Sequence, residues 1–153
     1  MFKHILVPVD GSEMSQSTVQ RVLSFAREAG AKVTFYHAQP AFVPPVIAGE
    51  GVIIDAGAQQ IFADARAQEA KHLLEGAAKL AQQAGVPNAG ITDICDAPWQ
   101  GIIAAAKKQG CDLIFMASHG RRGVSALLLG SETQKVLTHC AIPVLVYREE
   151  KKN

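Results

Sequence analysis

The residues best suited to chemistry lie between positions 115 and 137, FMASHGRRGVSALLLGSETQKVL. There an apolar run gives way to Gly120, Gly123 and Gly130 among small polar residues. Glycine permits backbone conformations and close approaches that side chains would block. Ser131 occupies an expected helix N-cap with Gln134 three residues on, the spacing of a capping box. A helix N-terminus presents unpaired N–H groups and a partial positive charge, both suited to phosphate. His119 is placed to donate to such a phosphate, and Arg121 and Arg122 are the nearby cations, although adjacent arginines on a loop are as readily explained by solvation. The same features also serve an ordinary strand-to-helix turn. Neither G-x-x-x-x-G-K-[S/T] nor G-x-G-x-x-G occurs in the chain.

Little else competes for a chemical role. The histidines form no H-x-x-x-H or Cys/His cluster, so a dedicated metal site is not expected. Cys95, Cys111 and Cys140 are widely spaced with no C-x-x-C, the pattern of reduced thiols in a cytoplasmic protein. A net charge of +1 and the lack of a basic stripe with interleaved aromatics argue against nucleic acid. The opening MFKHILVPVDGSE is too short for a membrane span and lacks the layout of a signal peptide.

Short β-rich runs alternate with helical spacing along the chain. HILVPV (4–9), KVTFYHA (32–38), GITDIC (90–95), CDLIFMAS (111–118) and IPVLVYR (142–148) read as strands. Residues 12–30, 57–84, 98–110 and 131–140 read as helices, with Gly30 ending the first. In the long second helix, Ile61, Ala65, Leu73, Leu74, Ala77 and Leu80 fall on or near one face. Five strands and four helices in this alternation imply right-handed crossovers and a three-layer α/β domain with a mostly parallel sheet. Residues 40–56, PAFVPPVIAGEGVIIDA, are long for a strand-to-helix connection and more apolar than a solvated loop needs. They fit a loop folded over the core, or a lid or subunit contact.

Ligands of open parallel sheets bind beyond the carboxyl ends of the strands. Besides the glycine-rich stretch, those ends carry Asp10-Gly11-Ser12, His37-Ala38 and Cys95-Asp96.

The glycine-rich stretch resembles the nucleotide loop of the universal stress protein family, whose ATP-binding members carry G-x-x-G, nine residues, then G-[S/T]. Here ASHG precedes the nine residues RRGVSALLL and then GS, with Ala117 in place of the first glycine. ILVPVDGSEMS is similar to the family's opening strand, and KVLTHCAIPVLVYR to its closing helix and strand. The resemblance covers residues 1–148, with 40–56 as an insert loop and 149–153 as a solvated tail. It implies a Rossmann-like, adenine nucleotide alpha hydrolase-like sheet of order 3-2-1-4-5. It also implies a stress-response protein that binds ATP, or another adenine nucleotide, as a ligand, with magnesium or manganese as its companion. Pro8, Val9 and Asp10 would meet the nucleoside, Asp10 being otherwise a turn or cap residue. His37 and Ala38 would meet adenine, although His37 also fits a buried strand position. Met116, Ala117, His119, Gly120, Arg121, Gly130, Ser131, Glu132 and Thr133 would surround ribose and phosphates. Glu132 better suits the first helical turn than a triphosphate. Alanine at position 117 either strains a positive φ or crowds the ligand with a methyl group, weakening the site without abolishing it.

Efficient phosphoryl transfer needs a positioned base, a metal cluster or a P-loop lysine, none of which the sequence offers, so at most slow hydrolysis is expected. A receiver domain would pair Asp96 with an acidic couple after strand one and a Lys-Pro after strand five, and both are missing. An ATP-pyrophosphatase would carry S-G-G-x-D-S where this chain has DGSEMS. The standing alternative is a family member that lacks nucleotide and acts through protein contacts. The last strand, from Pro143 to Tyr147, reads as an apolar sheet edge, and the family commonly dimerises through it. A homodimer is therefore expected, and Tyr147→Pro is the variant the sequence suggests to break it.

Overall fold

The computed structural model describes residues 1–44, 46–47, 51–52, 55–119 and 129–149. Its elements follow the order β1 (His4–Pro8), α1 (Glu13–Ala29), β2 (Lys32–Gln39), β3 (Val46–Ile47), β4 (Gly51–Val52), α2 (Ala56–Gln83), β5 (Asn88–Ile94), α3 (Pro98–Gln109), β6 (Leu113–Ala117), α4 (Ser131–His139) and β7 (Val144–Tyr147). β5, β2, β1, β6 and β7 form one parallel sheet in that spatial order, which is 3-2-1-4-5 for the five principal strands.

β1 is central, and its run of apolar residues is explained by burial on both faces. Ile5 and Val7 join Val19, Val22, Ala26, Ala77 and Ala81 beneath α1 and α2. Leu6, pointing the other way as strand alternation requires, joins Tyr36, Ile102, Ala106 and Val136 beneath α3 and α4. α1 starts at Ser12, whose hydroxyl accepts from Ser15 N–H at 3.1 Å, and stops at Gly30, left-handed with φ 62°. The helix α3 can lie close on β2 only because residue 101 is glycine. A methyl there would overlap the Tyr36 hydroxyl, which donates to Asp93 Oδ1 at 2.6 Å.

Three expectations change. The 40–56 connection contains an antiparallel pair, β3 with β4, that local patterning does not reveal. Its described start lies against α2 rather than the core: Phe42 stacks edge-on to Phe62 at 5.5 Å, and Ala41 N–H bonds Asp96 Oδ1 at 3.0 Å. Within α2, Ala77 is buried but Ile61 is 73% exposed and Ala65 is also exposed. The cause is length: 28 helical residues span ~42 Å, whereas the eight of β2 span ~26 Å. The first half of α2 therefore passes beyond the carboxyl end of the sheet. Finally, the strands expected at 111–118 and 142–148 are shorter, Leu113–Ala117 and Val144–Tyr147.

Candidate functional site

A cleft of about 460 Å³ opens over the carboxyl ends of β1, β2 and β6. Each end is shaped by local bonds. After Pro8 the chain turns at Asp10, whose Oδ1 accepts from Ser12 N–H at 3.0 Å and from its hydroxyl at 2.7 Å, while Gly11 takes φ 80°. Asp10 is thus the turn residue and Ser12 the cap of α1. At the end of β2, buried His37 holds Val9 O through Nδ1 at 2.7 Å. A carbonyl only accepts, so Nδ1 carries the proton and the ring locks the first turn to the second strand.

The end of β6 is fastened to the start of α4. Thr133 Oγ1 donates to Ala117 O at 3.0 Å, and Gly130 N–H to Ser118 O at 2.8 Å. Ala117 is an ordinary strand residue opposite Tyr147, and no described non-glycine residue has a positive φ. Alanine is therefore unstrained there, and only the reach of its methyl group into the cleft remains to be weighed.

The expected capping box does not form. Gly130 is the N-cap, extended at φ −60° and ψ 150°, and Ser131 is the first helical residue. Gln134 instead donates to Leu129 O at 3.1 Å. Gly130 has no side chain to cap α4, and the first turn of the helix lines the cleft through Ser131, Glu132 and Thr133. Gly130 occupies backbone space open to any residue, so its value is lack of bulk and not conformational freedom. Glu132 reaches across to α3. It accepts from Trp99 N–H at 2.8 Å and from Lys135 Nζ at 3.3 Å, supplying the cap that Ala97 cannot give α3.

Every candidate residue within the described chain lines this one cleft: Pro8, Val9, Asp10, His37, Ala38, Met116, Ala117, His119, Gly130, Ser131, Glu132 and Thr133. Gly120, Arg121 and Arg122 lie outside the described residues. The cleft also holds residues that local pattern does not flag, chiefly Arg66 and Glu69, brought in by the overhang of α2. Their Nη1···Oε2 distance is 2.6 Å, and the Arg66 guanidinium lies 5.4 Å from the centre of the Phe62 ring. The available signal was the excess length of α2, although an i,i+3 ion pair looks like any surface pair until the helix is placed. His119 bonds Ser118 Oγ through Nδ1 at 3.0 Å. Among the described residues, the buried side-chain nitrogens and oxygens without a partner are Arg66 Nε and His119 Nε2, and both residues line this cleft.

Other groups are less suited to a ligand. A depression of about 430 Å³ at the opposite end of the sheet gathers Lys3, Arg27 and Lys32. The carboxyl ends of α1 and α2 meet there, and their carbonyls explain the basic residues without an anion. Among the described residues no three His, Cys, Asp or Glu are grouped to hold a metal, and no helix is long and apolar enough to cross a membrane. The three cysteines are free, and burial pushes the Cys111 thiol up to about 11.

The model of the universal stress protein family matches residues 1–148. The universal stress protein YxiE of Bacillus subtilis is 30% identical over 97% of this chain and 100% of its own length. Hypothetical protein MJ0577 of Methanocaldococcus jannaschii, solved in a study of its biochemical function, superposes with a TM-score of 0.78 at 26% identity, covering 99% of both chains. An Arabidopsis thaliana family protein with AMP bound shares the fold at TM-score 0.69 and 16% identity, over 97% of this chain and 93% of its own. Family structures in complex with cAMP and with dAMP share it at TM-score 0.64.

Proposed function

The chain belongs to the universal stress protein family, and from that premise we propose that its cleft binds an adenine nucleotide, with ATP the leading ligand. The observation that carries this reading is the first turn of α4, begun at a glycine with no capping side chain, lining the cleft that also holds His119 Nε2, buried and without a partner. Intrahelical bonding leaves the first N–H groups of any helix without partners, and phosphate oxygens are the acceptors that suit them. The nucleotides carried by fold neighbours support the choice of adenine. In this arrangement Gly130, Ser131 and Thr133 hold the phosphates, aided by His119 and by Gly120 and Arg121, which lie outside the described residues. Asp10 stands by the ribose, with Pro8, Val9, Met116 and Ala117 as walls, and His37 and Ala38 border the base. A magnesium or manganese ion would ride on the phosphates.

The ligand is held and not rapidly turned over. His119 has Ser118 as its partner, no carboxylate that would make it a base, and no P-loop lysine is present. Calorimetric titration of ATP and AMP with magnesium tests the reading, alongside Gly130→Val. Valine is at home in the extended backbone of residue 130, so the variant should fold while its side chain blocks the phosphates. Micromolar binding lost in the variant is expected. No heat from any adenine nucleotide would leave a family member that acts through protein contacts alone.

The same proposal includes a homodimer through β7, which lies at the sheet edge. Pro143 O accepts from Ile114 N–H of β6, and Tyr147 O from the N–H of Ser118 just past its end. Groups of alternate residues point alike, so Tyr147 N–H faces inward while those of Val144 and Val146 face outward. Tyr147→Pro would therefore damage the sheet itself. Val146→Pro is the variant that tests strand pairing, and light scattering should then report a monomer. An unchanged dimer mass would move the contact elsewhere.

A further inference from the structure

We infer that α3 keeps the phosphate end of the cleft open, by drawing Glu132 onto the Trp99 N–H and away from the first turn of its own helix. The inference rests on the nucleotide reading of the cleft and adds what regulates its affinity. Glu132 is the acidic residue in the first turn of α4 and lines the cleft with Ser131 and Thr133. The first N–H groups of a helix have no intrahelical partners, and a carboxylate is drawn to them as a phosphate is. Glu132 is thus an anion that the chain itself carries at the place proposed for the ligand.

In this structure that anion is engaged elsewhere. Glu132 Oε2 accepts from Trp99 N–H at 2.8 Å, and Oε1 lies 3.3 Å from Lys135 Nζ. The reason lies in α3. Its N-cap is Ala97, which has no side-chain acceptor, and Pro98 has no N–H to satisfy. Gln100 and Gly101 N–H both reach Ala97 O, at 2.8 and 3.3 Å, so Trp99 N–H is the donor of that turn left for another residue. Glu132 therefore has two places to go, the N-terminus of α3 and that of α4, and only the first leaves the phosphate turn free. A bound phosphate excludes the second and so fastens the bridge to Trp99. By reciprocity, the bridge favours phosphate.

The test gives α3 a cap of its own. Ala97→Asn places an uncharged carbonyl at the N-cap, to take Trp99 N–H as Asp55 Oδ1 takes Gly57 N–H at the start of α2. Glu132 is then released to its own helix. Calorimetry should show ATP bound about threefold more weakly by Ala97→Asn than by wild type, the competent fraction having fallen to about a third. In a Glu132→Ala background the same substitution should change nothing, whereas a direct effect of the asparagine on the cleft would persist there. A second measurement does not depend on the asparagine. In wild type, ATP should slow hydrogen exchange at Trp99 N–H relative to Gln100 N–H of the same turn, and in Glu132→Ala it should not. ATP affinity unmoved by Ala97→Asn, a penalty that persists without Glu132, or Trp99 exchange indifferent to ATP each overturns the inference while leaving nucleotide binding intact. Absence of ATP binding to wild type overturns both readings together.

Discussion

At the scale of single residues, the cleft is governed by what is missing from side chains. Ala117 adds one methyl group on unstrained strand backbone, so its whole effect must fall on the ligand. Ala117→Gly is expected to tighten ATP binding, by up to about tenfold, while costing roughly 0.5–1 kcal/mol of stability through chain entropy. Calorimetry and urea unfolding read the two separately, and unaltered affinity would mean that the phosphates pass farther off. Glu132 is under a different constraint. Its bond to Trp99 N–H caps α3, yet its charge stands in the turn offered to phosphate. Glu132→Ala should lose about 0.5–2 kcal/mol of stability and gain nucleotide affinity. Loss of both would show that Glu132 holds the site in shape.

At the scale of elements, two close fits decide the geometry. The first is α3 on β2, where Gly101 makes room for the Tyr36 hydroxyl. Gly101→Ala should cost about 1–3 kcal/mol by overpacking. Adding Tyr36→Phe should recover part of that loss by removing the overlapped oxygen, a non-additivity that urea unfolding can measure. Independent, additive losses would place the strain elsewhere. The second fit is α2 beyond the end of the sheet. Its first half has little core to rest on, with Ala70 the first buried residue, and among the described residues it meets Phe42 through Phe62 and borders the cleft through Arg66 and Glu69.

At the scale of the whole molecule, the ends of the sheet are set for different tasks. The carboxyl end carries the unmatched donors. The amino end is satisfied: His4 Nε2 meets Thr34 Oγ1 at 2.8 Å, and Asp112 accepts from Lys3 and His4 N–H at 2.8 and 3.0 Å. Burial, aided by Lys32, holds the His4 pKa below its ordinary 6.5. The unfolded chain thus takes the proton first, so the stabilisation from His4 is full above 6.5 and lost as pH falls from there through the folded value. Burial alone would raise Asp112, but the N–H bonds from His4 and Lys3 outweigh it and hold its pKa below 3.8. Its contribution is full above 3.8 and disappears as pH falls through that lower value. Melting temperature should therefore fall in two steps on acidification, and His4→Gln should flatten the first. A first step that persists in the variant would assign it to another group.

The sequence by itself determined the alternation of strands and helices, the parallel three-layer class and the strand ends that meet at the cleft. Those properties follow from periodicity and turn chemistry, which act over a few residues. The resemblance carried the reading further, since the glycine spacing drew attention to residues from Met116 to Thr133 that the fold then gathered with Asp10 and His37. Only the tertiary structure decided that Glu132 caps α3 through Trp99, 33 positions earlier, that Gly130 and not Ser131 is the N-cap of α4, and that Arg66 enters the cleft. Each depends on where the ends of rigid elements fall relative to one another. Packing sets that relation from the summed lengths of helix and strand, and no window along the chain contains it.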